Sequence, residues 1–483
     1  MESGASHEIF LTRTALPIQP RSLCFVVLHH GYYANSSDFR YLLTASKEVL
    51  KSLKRSNTDA KDEGLPSPKP CYILISCHDN DGHRMNAGVL ACAHRVVNHV
   101  CAVVSAVVTR ELSIDDMQCS AAAKETALAA NDAPTAARRE LHFSAVGHSM
   151  GGLILRAALP FLIDRIEGTY GEQSLGFAVH WDVFCTLATP HLGVKNMMSN
   201  TKMFLGQHIG CYLSTAIADL FCKSSVVSAD LVSRDSLAAW ARFKRRVLLS
   251  VVNDETVLMH SSSFVMPLHI LKRVGAPLPT AEADLTDACS KTNAGTHHRQ
   301  ADCSALHLAR LGIMCASSLE ELRGNGVLLT EISPDLWPPG VLPEERALAE
   351  HILRDVGPLE LHVVDFRPRL ARLTSRDASH GRHGGDVALK PGIVARGMMM
   401  LGVNRFSHSA LLCKWPFSYP SLFGFVLEYV ASDLILTPLS SAVPVPTPQE
   451  ALQHRSATSS GSPTVADSGE GMASAAEIAS PAL

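Results

Sequence analysis

The stretch Leu141-His142-Phe143-Ser144-Ala145-Val146-Gly147-His148-Ser149-Met150-Gly151-Gly152-Leu153 decides the fold. Its first half is a short buried-strand pattern and its last residues open an apolar segment, Leu153 to Leu162, of helical length. Between them, G-x-S-x-G places a serine on a tight strand-to-helix turn. Such a turn holds the serine backbone in a strained conformation, and strand and helix can approach only if the residues two before and two after it are tiny. Gly147 and Gly151 meet that requirement, and the Met150 amide at the helix start is free to donate to a developing oxyanion. The alternative is a Gly-rich turn whose serine only caps the helix.

Working outward, the same alternation recurs. Leu23 to Leu28 (LCFVVL) is β-branched and aromatic, lies between Pro20 and Gly31, and reads as a buried parallel strand. Asn35, Ser36 and Ser37 offer an N-cap to a following helix, and Cys71 to Ser76 reads as a second strand. Apolar positions 89, 93, 96, 97, 100, 103, 104 and 107 keep a helical period over about five turns. Leu112 to Arg139 reads as an Ala-rich polar connector, and Val179 to Leu187 and Val247 to Val252 as further strands. Strands separated by helices predict a mostly parallel sheet with helices on both faces. Residues 267–392 interleave apolar pieces with polar loops and are expected to be an insertion before the last strand, placed at Met398 to Phe406, rather than sheet core. Residues 437–483, rich in Pro, Ser and Ala, are expected to be a disordered tail, leaving 21–436 as the single catalytic domain.

Composition narrows the function. The 483 residues are 46% hydrophobic and only 18% charged, so material for a large core is ample. A formal charge of -3 supplies no field for phosphate backbones, so nucleic-acid binding is disfavoured. The thirteen cysteines show no CxxC and no repeated spacing, which fits a reducing, cytoplasmic setting. The first twenty residues lack a signal-peptide core, and the longest apolar run, Val100 to Val108, is too short to span a bilayer. Membrane or lipid-droplet contact would be peripheral, and the oligomeric state is left open.

A nucleophilic serine needs partners. The loop His29-His30-Gly31-Tyr32 follows the first strand, and Gly31 allows a sharp turn that offers the Tyr32 amide as a second oxyanion donor. In α/β-hydrolase folds the acid and base follow the serine in the order Asp/Glu, then His. Asp254 stands at the carboxyl end of the Val247 strand, with Asp365 after Leu361 to Val364 as runner-up. His408 precedes the apolar-periodic Leu422 to Ile435 and is the candidate base. His78-Asp79-Asn80-Asp81-Gly82-His83 could hold a metal but reads better as a solvated turn. Phe204 to Phe221 suits a lid or a surface helix equally.

With these residues in place, the chain resembles the putative serine esterase family of eukaryotic α/β-hydrolases, which includes lipases and phospholipases. The resemblance rests on the first strand with His30-Gly31, on Gly147-His148-Ser149-Met150-Gly151, on Leu187-Ala188-Thr189-Pro190-His191-Leu192-Gly193, and on Val251-Val252-Asn253-Asp254. It implies a nucleophile at Ser149, an acid at Asp254, a base at His408, oxyanion amides at Tyr32 and Met150, and a structural His191 whose ring bonds backbone. The expected function is hydrolysis of carboxylic esters, lipid acyl esters among them, through an acyl-enzyme, with no cofactor and no metal. Two alternatives stand beside it: an idle hydrolase fold that binds partners or membrane surfaces, and an acyltransferase using the same nucleophile.

Overall fold

The computed structural model of the protein describes residues 22–59, 70–126, 139–195, 210–252, 254, 256–276, 298–369, 407–414 and 420–436. Strands β1 (Ser22–His29), β2 (Cys71–Ser76), β3 (Glu140–His148), β4 (Ala178–Leu187) and β5 (Arg245–Val251) fall where the sequence places them. With β6 (Cys315–Ala316), β7 (Val327–Leu329) and β8 (Leu359–Val364) they make an eight-stranded sheet of order β2-β1-β3-β4-β5-β8-β6. All pairings are parallel except that of β7, which runs antiparallel to β8. This is the α/β-hydrolase arrangement.

Both faces of the sheet are covered, which is why its strands are near-continuous apolar runs. Phe25 and Val27 of β1 point into one core with the helices α2 (Val89–Thr126), α3 (Met150–Tyr170) and α4 (Arg234–Ala241). Cys24, Val26 and Leu28 point into a second, against α1 (Arg40–Asp59) and Phe423 to Leu436. The strand register stacks Phe25 on Phe143 at 5.2 Å and Phe143 on Trp181 at 4.8 Å. Each such aromatic pair adds about 0.5–1.5 kcal/mol beyond its buried area.

Two expectations are corrected. The polar connector after Leu112 is helix as far as Thr126, because Ala-rich sequence has high helix propensity even where the apolar period has ended. Within α2, Val89–Arg110 is long and apolar enough to cross a membrane by length and composition alone, although its Val89, Val96, Val100 and Val104 are buried in the core. The segment read as a pure insertion also carries sheet. β8 pairs with β5 over Val247–Val251, and β6 and β7 flank its other edge. The additions to the fold therefore fall in two places, between β5 and β8 and between β8 and His408. The described residues all belong to one folded unit, Met1–Leu439. The proposed last strand at Met398 to Phe406 and the proposed tail at 437–483 lie outside the described residues.

Candidate active site

Ser149 sits between the end of β3 and the start of α3 with φ 55° and ψ −131°. That region costs an L-residue on the order of 1–3 kcal/mol and persists only where the surroundings enforce it. Here the Ser149 amide is tied to the Leu187 carbonyl at the end of β4, at 2.8 Å. A Cβ on Gly147 would stand 2.5 Å from Gly152 Cα, and one on Gly151 would stand 2.3 Å from the His29 carbonyl oxygen. A Cβ on Gly152 would meet Thr189 Oγ1 at 2.1 Å. Three glycines thus let strand, helix, oxyanion loop and the Thr189-Pro190-His191 block close on one point.

The oxyanion loop touches the serine directly, since a Cβ on Gly31 would lie 2.8 Å from Ser149 Cβ and 3.3 Å from its Oγ. Met150 is the first residue of α3, so its amide has no intrahelical acceptor, and the Tyr32 amide enters no backbone hydrogen bond of the loop. The Tyr32 hydroxyl donates to Asn86 Oδ1 at 2.7 Å and lies 3.1 Å from Ser214 Oγ.

Asp254 and His408, far apart in sequence, are brought together. His408 Nδ1 lies 2.7 Å from Asp254 Oδ2, and both residues are buried. The other carboxylate oxygen accepts the Thr256 and Val257 amides, each at 2.8 Å, so the acid is held from behind by backbone. His408 lies in the turn Ser407–Ala410, which is fastened to the elbow by the residue preceding the serine. His148 Nε2 donates to the His408 carbonyl at 3.1 Å, with the two rings 4.6 Å apart. Burial first, and then the charge of a protonated His408, hold His148 well below the ordinary imidazole range. His148 is therefore neutral, with its proton on the nitrogen that donates. No hydrogen bond joins Ser149 Oγ to His408 Nε2 among the described residues, a link that commonly tightens only with substrate bound. Asp365, the runner-up acid, is engaged instead by the Arg367 guanidinium at 2.8 and 2.6 Å.

The polar loop after β2 keeps solvent access at His78, Asp79, Asp81 and His83 but is anchored inward. Asn80 is fully buried, donating to His29 Nε2 at 2.9 Å and accepting from Arg95 at 2.8 Å. Burial, followed by the neighbouring His30, pushes His29 down to about 3, so it stays a neutral ring that donates to the His30 carbonyl at 2.9 Å. Asp81 accepts from His30 Nε2 at 2.8 Å and from the Ser36 amide at 2.8 Å. The other His30 nitrogen faces the Gly31 carbonyl at 3.0 Å. These contacts clamp both ends of the oxyanion loop. Asp81 and Asn80 were not singled out by sequence reasoning; the available signal was a dense run of hydrogen-bonding residues placed immediately after a buried strand.

His191 also differs from expectation. Its ring bonds side chains rather than backbone, Arg156 at 3.1 Å and Thr186 at 3.2 Å, and stacks on Trp240 at 5.3 Å. The cause is the buried Arg156 of α3, which needs an acceptor and finds the ring and the Leu231 carbonyl. Of the segment weighed as a lid or surface helix, 204–209 lie outside the described residues, and Thr215–Leu220 is a short helix whose Asp219 binds the Val89 amide at 2.8 Å.

The family described as Putative serine esterase matches residues 20–264, half of the chain, a span that includes Ser149 and Asp254 and ends before His408. The chain belongs to that family. It is a hydrolase by family. Among solved structures it is similar to a putative cell surface hydrolase from Lactobacillus plantarum, at 16% identity and TM-score 0.21 over 51% of this chain and 76% of that one. It is likewise similar to a hydrolase from Oleispira antarctica, at 10% identity and TM-score 0.24 over 53% and 81%. A third is the RedJ thioesterase of Streptomyces coelicolor, at 14% identity and TM-score 0.20 over 52% and 77%. No curated protein matches.

Proposed function

We propose that this hydrolase cleaves carboxylic esters, lipid acyl esters in particular, through a Ser149–His408–Asp254 triad and a covalent acyl-enzyme. The observation that carries the reading is a serine strained on an elbow beside a turn whose histidine is bound at 2.7 Å to a buried carboxylate. In the proposed reaction Ser149 Oγ attacks the ester carbonyl carbon as its proton passes to His408 Nε2. The charge that develops on the carbonyl oxygen is received by the Tyr32 and Met150 amides. Collapse expels the alcohol, which takes the proton back from Nε2. Water then attacks the acyl carbon, gives a proton to Nε2, and Ser149 leaves reprotonated as the acid is released. Asp254 holds the Nδ1 proton in place and stabilises the imidazolium at each stage.

The lipid reading is supported by apolar surface beside the oxyanion loop. Tyr33, Tyr212 and Leu213 are exposed, the last two at 88% and 77%, and Ser214 is bonded to Tyr32. The test pairs a fluorophosphonate probe with p-nitrophenyl esters of increasing chain length. The expected result is labelling at Ser149 and faster turnover of longer acyl chains, both lost in Ser149→Ala. Unchanged ester cleavage by Ser149→Ala would remove the proposal, and absence of labelling in the folded wild type would favour a non-catalytic hydrolase fold.

A further inference from the structure

At the opposite end of β3 from the serine, a second cluster of ligating side chains is assembled. β3 and β4 pair in parallel with His142 beside His180, and the two rings stack at 4.6 Å. Glu140, two residues earlier on β3, projects to the same face, where its carboxylate lies 3.2 Å from His142 Nε2 and 4.0 Å from His180 Nε2. One ligand atom from each of the three lies within 4.8 Å of the others. Zinc-to-nitrogen and zinc-to-oxygen bonds of about 2.0–2.2 Å at tetrahedral angles need such atoms roughly 3.4 Å apart, so small side-chain rotations close the set.

The surroundings match a metal site's outer layer. His142 Nδ1 faces Asp182 Oδ2 at 2.9 Å, and Lys244 holds the other Asp182 oxygen at 2.8 Å. A carboxylate behind the distal nitrogen fixes the tautomer that leaves Nε2 as a ligand. A β-bulge produces this contact: between the pairs Phe143–Trp181 and Ala145–Phe184, Asp182 and Val183 together oppose Ser144. Ser22 Oγ donates to Glu140 at 3.0 Å, orienting the carboxylate. The two ring nitrogens of His142 thus face carboxylates on both sides, Asp182 behind and Glu140 in front.

We propose that Glu140, His142 and His180 bind a Zn2+-class dication at the N-terminal ends of β3 and β4. Three protein ligands leave a fourth position for water. The site stands seven residues along β3 from Ser149, roughly 20 Å at strand rise, so its role is to tie the two strands rather than to act on the ester. The other three-residue histidine-carboxylate group among the described residues, His78, Asp79 and His99, borders a cavity also lined by Arg84 and Arg95.

The experiment uses the full chain stripped with chelator and then titrated with Zn2+ against a chromophoric competitor, with thermal melts in parallel. Wild type is expected to bind one equivalent that raises its melting temperature. Glu140→Gln and His180→Ala, both at partly exposed positions and so unlike buried His142 in their tolerance of change, lose that equivalent and the thermal gain. Asp182→Asn weakens binding by about 10- to 100-fold, the usual cost of losing an outer partner. Equal Zn2+ uptake by wild type, Glu140→Gln and His180→Ala would place the metal elsewhere and overturn the proposal. No uptake by wild type would overturn it too. Both readouts are independent of ester turnover, so failure here leaves the Ser149 reading untouched.

Discussion

Asp254→Asn tests the proposed triad most sharply, because the structure dictates how the new amide must sit. Oδ1 receives the Thr256 and Val257 N–H groups, each at 2.8 Å, and only an oxygen can accept them. The amide oxygen therefore keeps that place, and the NH2 takes the position 2.7 Å from His408 Nδ1. A donor now faces Nδ1, so the ring moves its proton to Nε2 and can no longer take one from Ser149. The expected loss in kcat is on the order of ten-thousandfold, the size seen when a triad aspartate becomes an amide, or about 5 kcal/mol of barrier. Stability should fall far less, by about 1 kcal/mol, since both backbone bonds survive and only the charge assistance is lost. Asp254→Ala is expected to behave differently, losing the acceptor for the buried Val257 amide as well as for that of exposed Thr256, and with it about 1–3 kcal/mol. The assays are steady-state hydrolysis of a p-nitrophenyl ester and urea denaturation of each variant. A folded Asp254→Asn enzyme within tenfold of wild-type kcat would refute the tautomer argument and the acid assignment together. Asp365→Asn serves as the control with unchanged kcat, because its carboxylate is spent on Arg367.

Asp81→Ala should lower kcat/KM by about ten- to a hundredfold through displacement of the Gly31-Tyr32 loop, while Asp81→Asn, whose oxygen can still accept from His30 and Ser36, recovers most of it; equal rates for the two variants would show that the clamp does not position the loop. His29 gives a pH prediction. Its folded value of about 3 lies below the unfolded value near 6.5, so between these the unfolded chain binds the extra proton and stability rises with pH, by up to about 1.4 kcal/mol per unit. Urea midpoints measured from pH 7 down to 4 should therefore fall less steeply in His29→Gln than in wild type, and parallel curves would contradict the buried neutral ring.

The five strands β1 to β5 were legible because each is buried on both faces and so appears as a compact apolar run with sharp polar borders. β8 was harder for a reason of context. Leu361 to Val364 has the same local pattern, enough to draw attention to Asp365 behind it, yet it stands alone among polar loops and short strands. β6 and β7 are two and three residues long, too short for any periodicity to register. What identifies β8 as sheet is its pairing with β5, a contact across more than a hundred residues that no local window contains.

The site divides in the same way. Ser149 is visible because its strain demands a local motif, glycines at fixed offsets, and sequence records local demands. His408 and Asp254 could be chosen only by where they stand relative to strands, and their 2.7 Å contact is a property of the folded sheet. The clamp on the oxyanion loop was not legible, since His78 to His83 has the composition of an exposed turn. The difference lies in satisfaction: Asn80 is buried because His29, Cys92 and Arg95 between them answer its donors and its acceptor. A polar residue is driven to the surface only when the interior offers it no partner. Composition counts polar groups but not their partners, so a fully partnered polar cluster and a solvated loop look alike until the chain is folded. The His142–Asp182 pair on β3 and β4 follows the same rule, two ionisable residues inside runs that read simply as strands, paired across a bulge that only the register reveals.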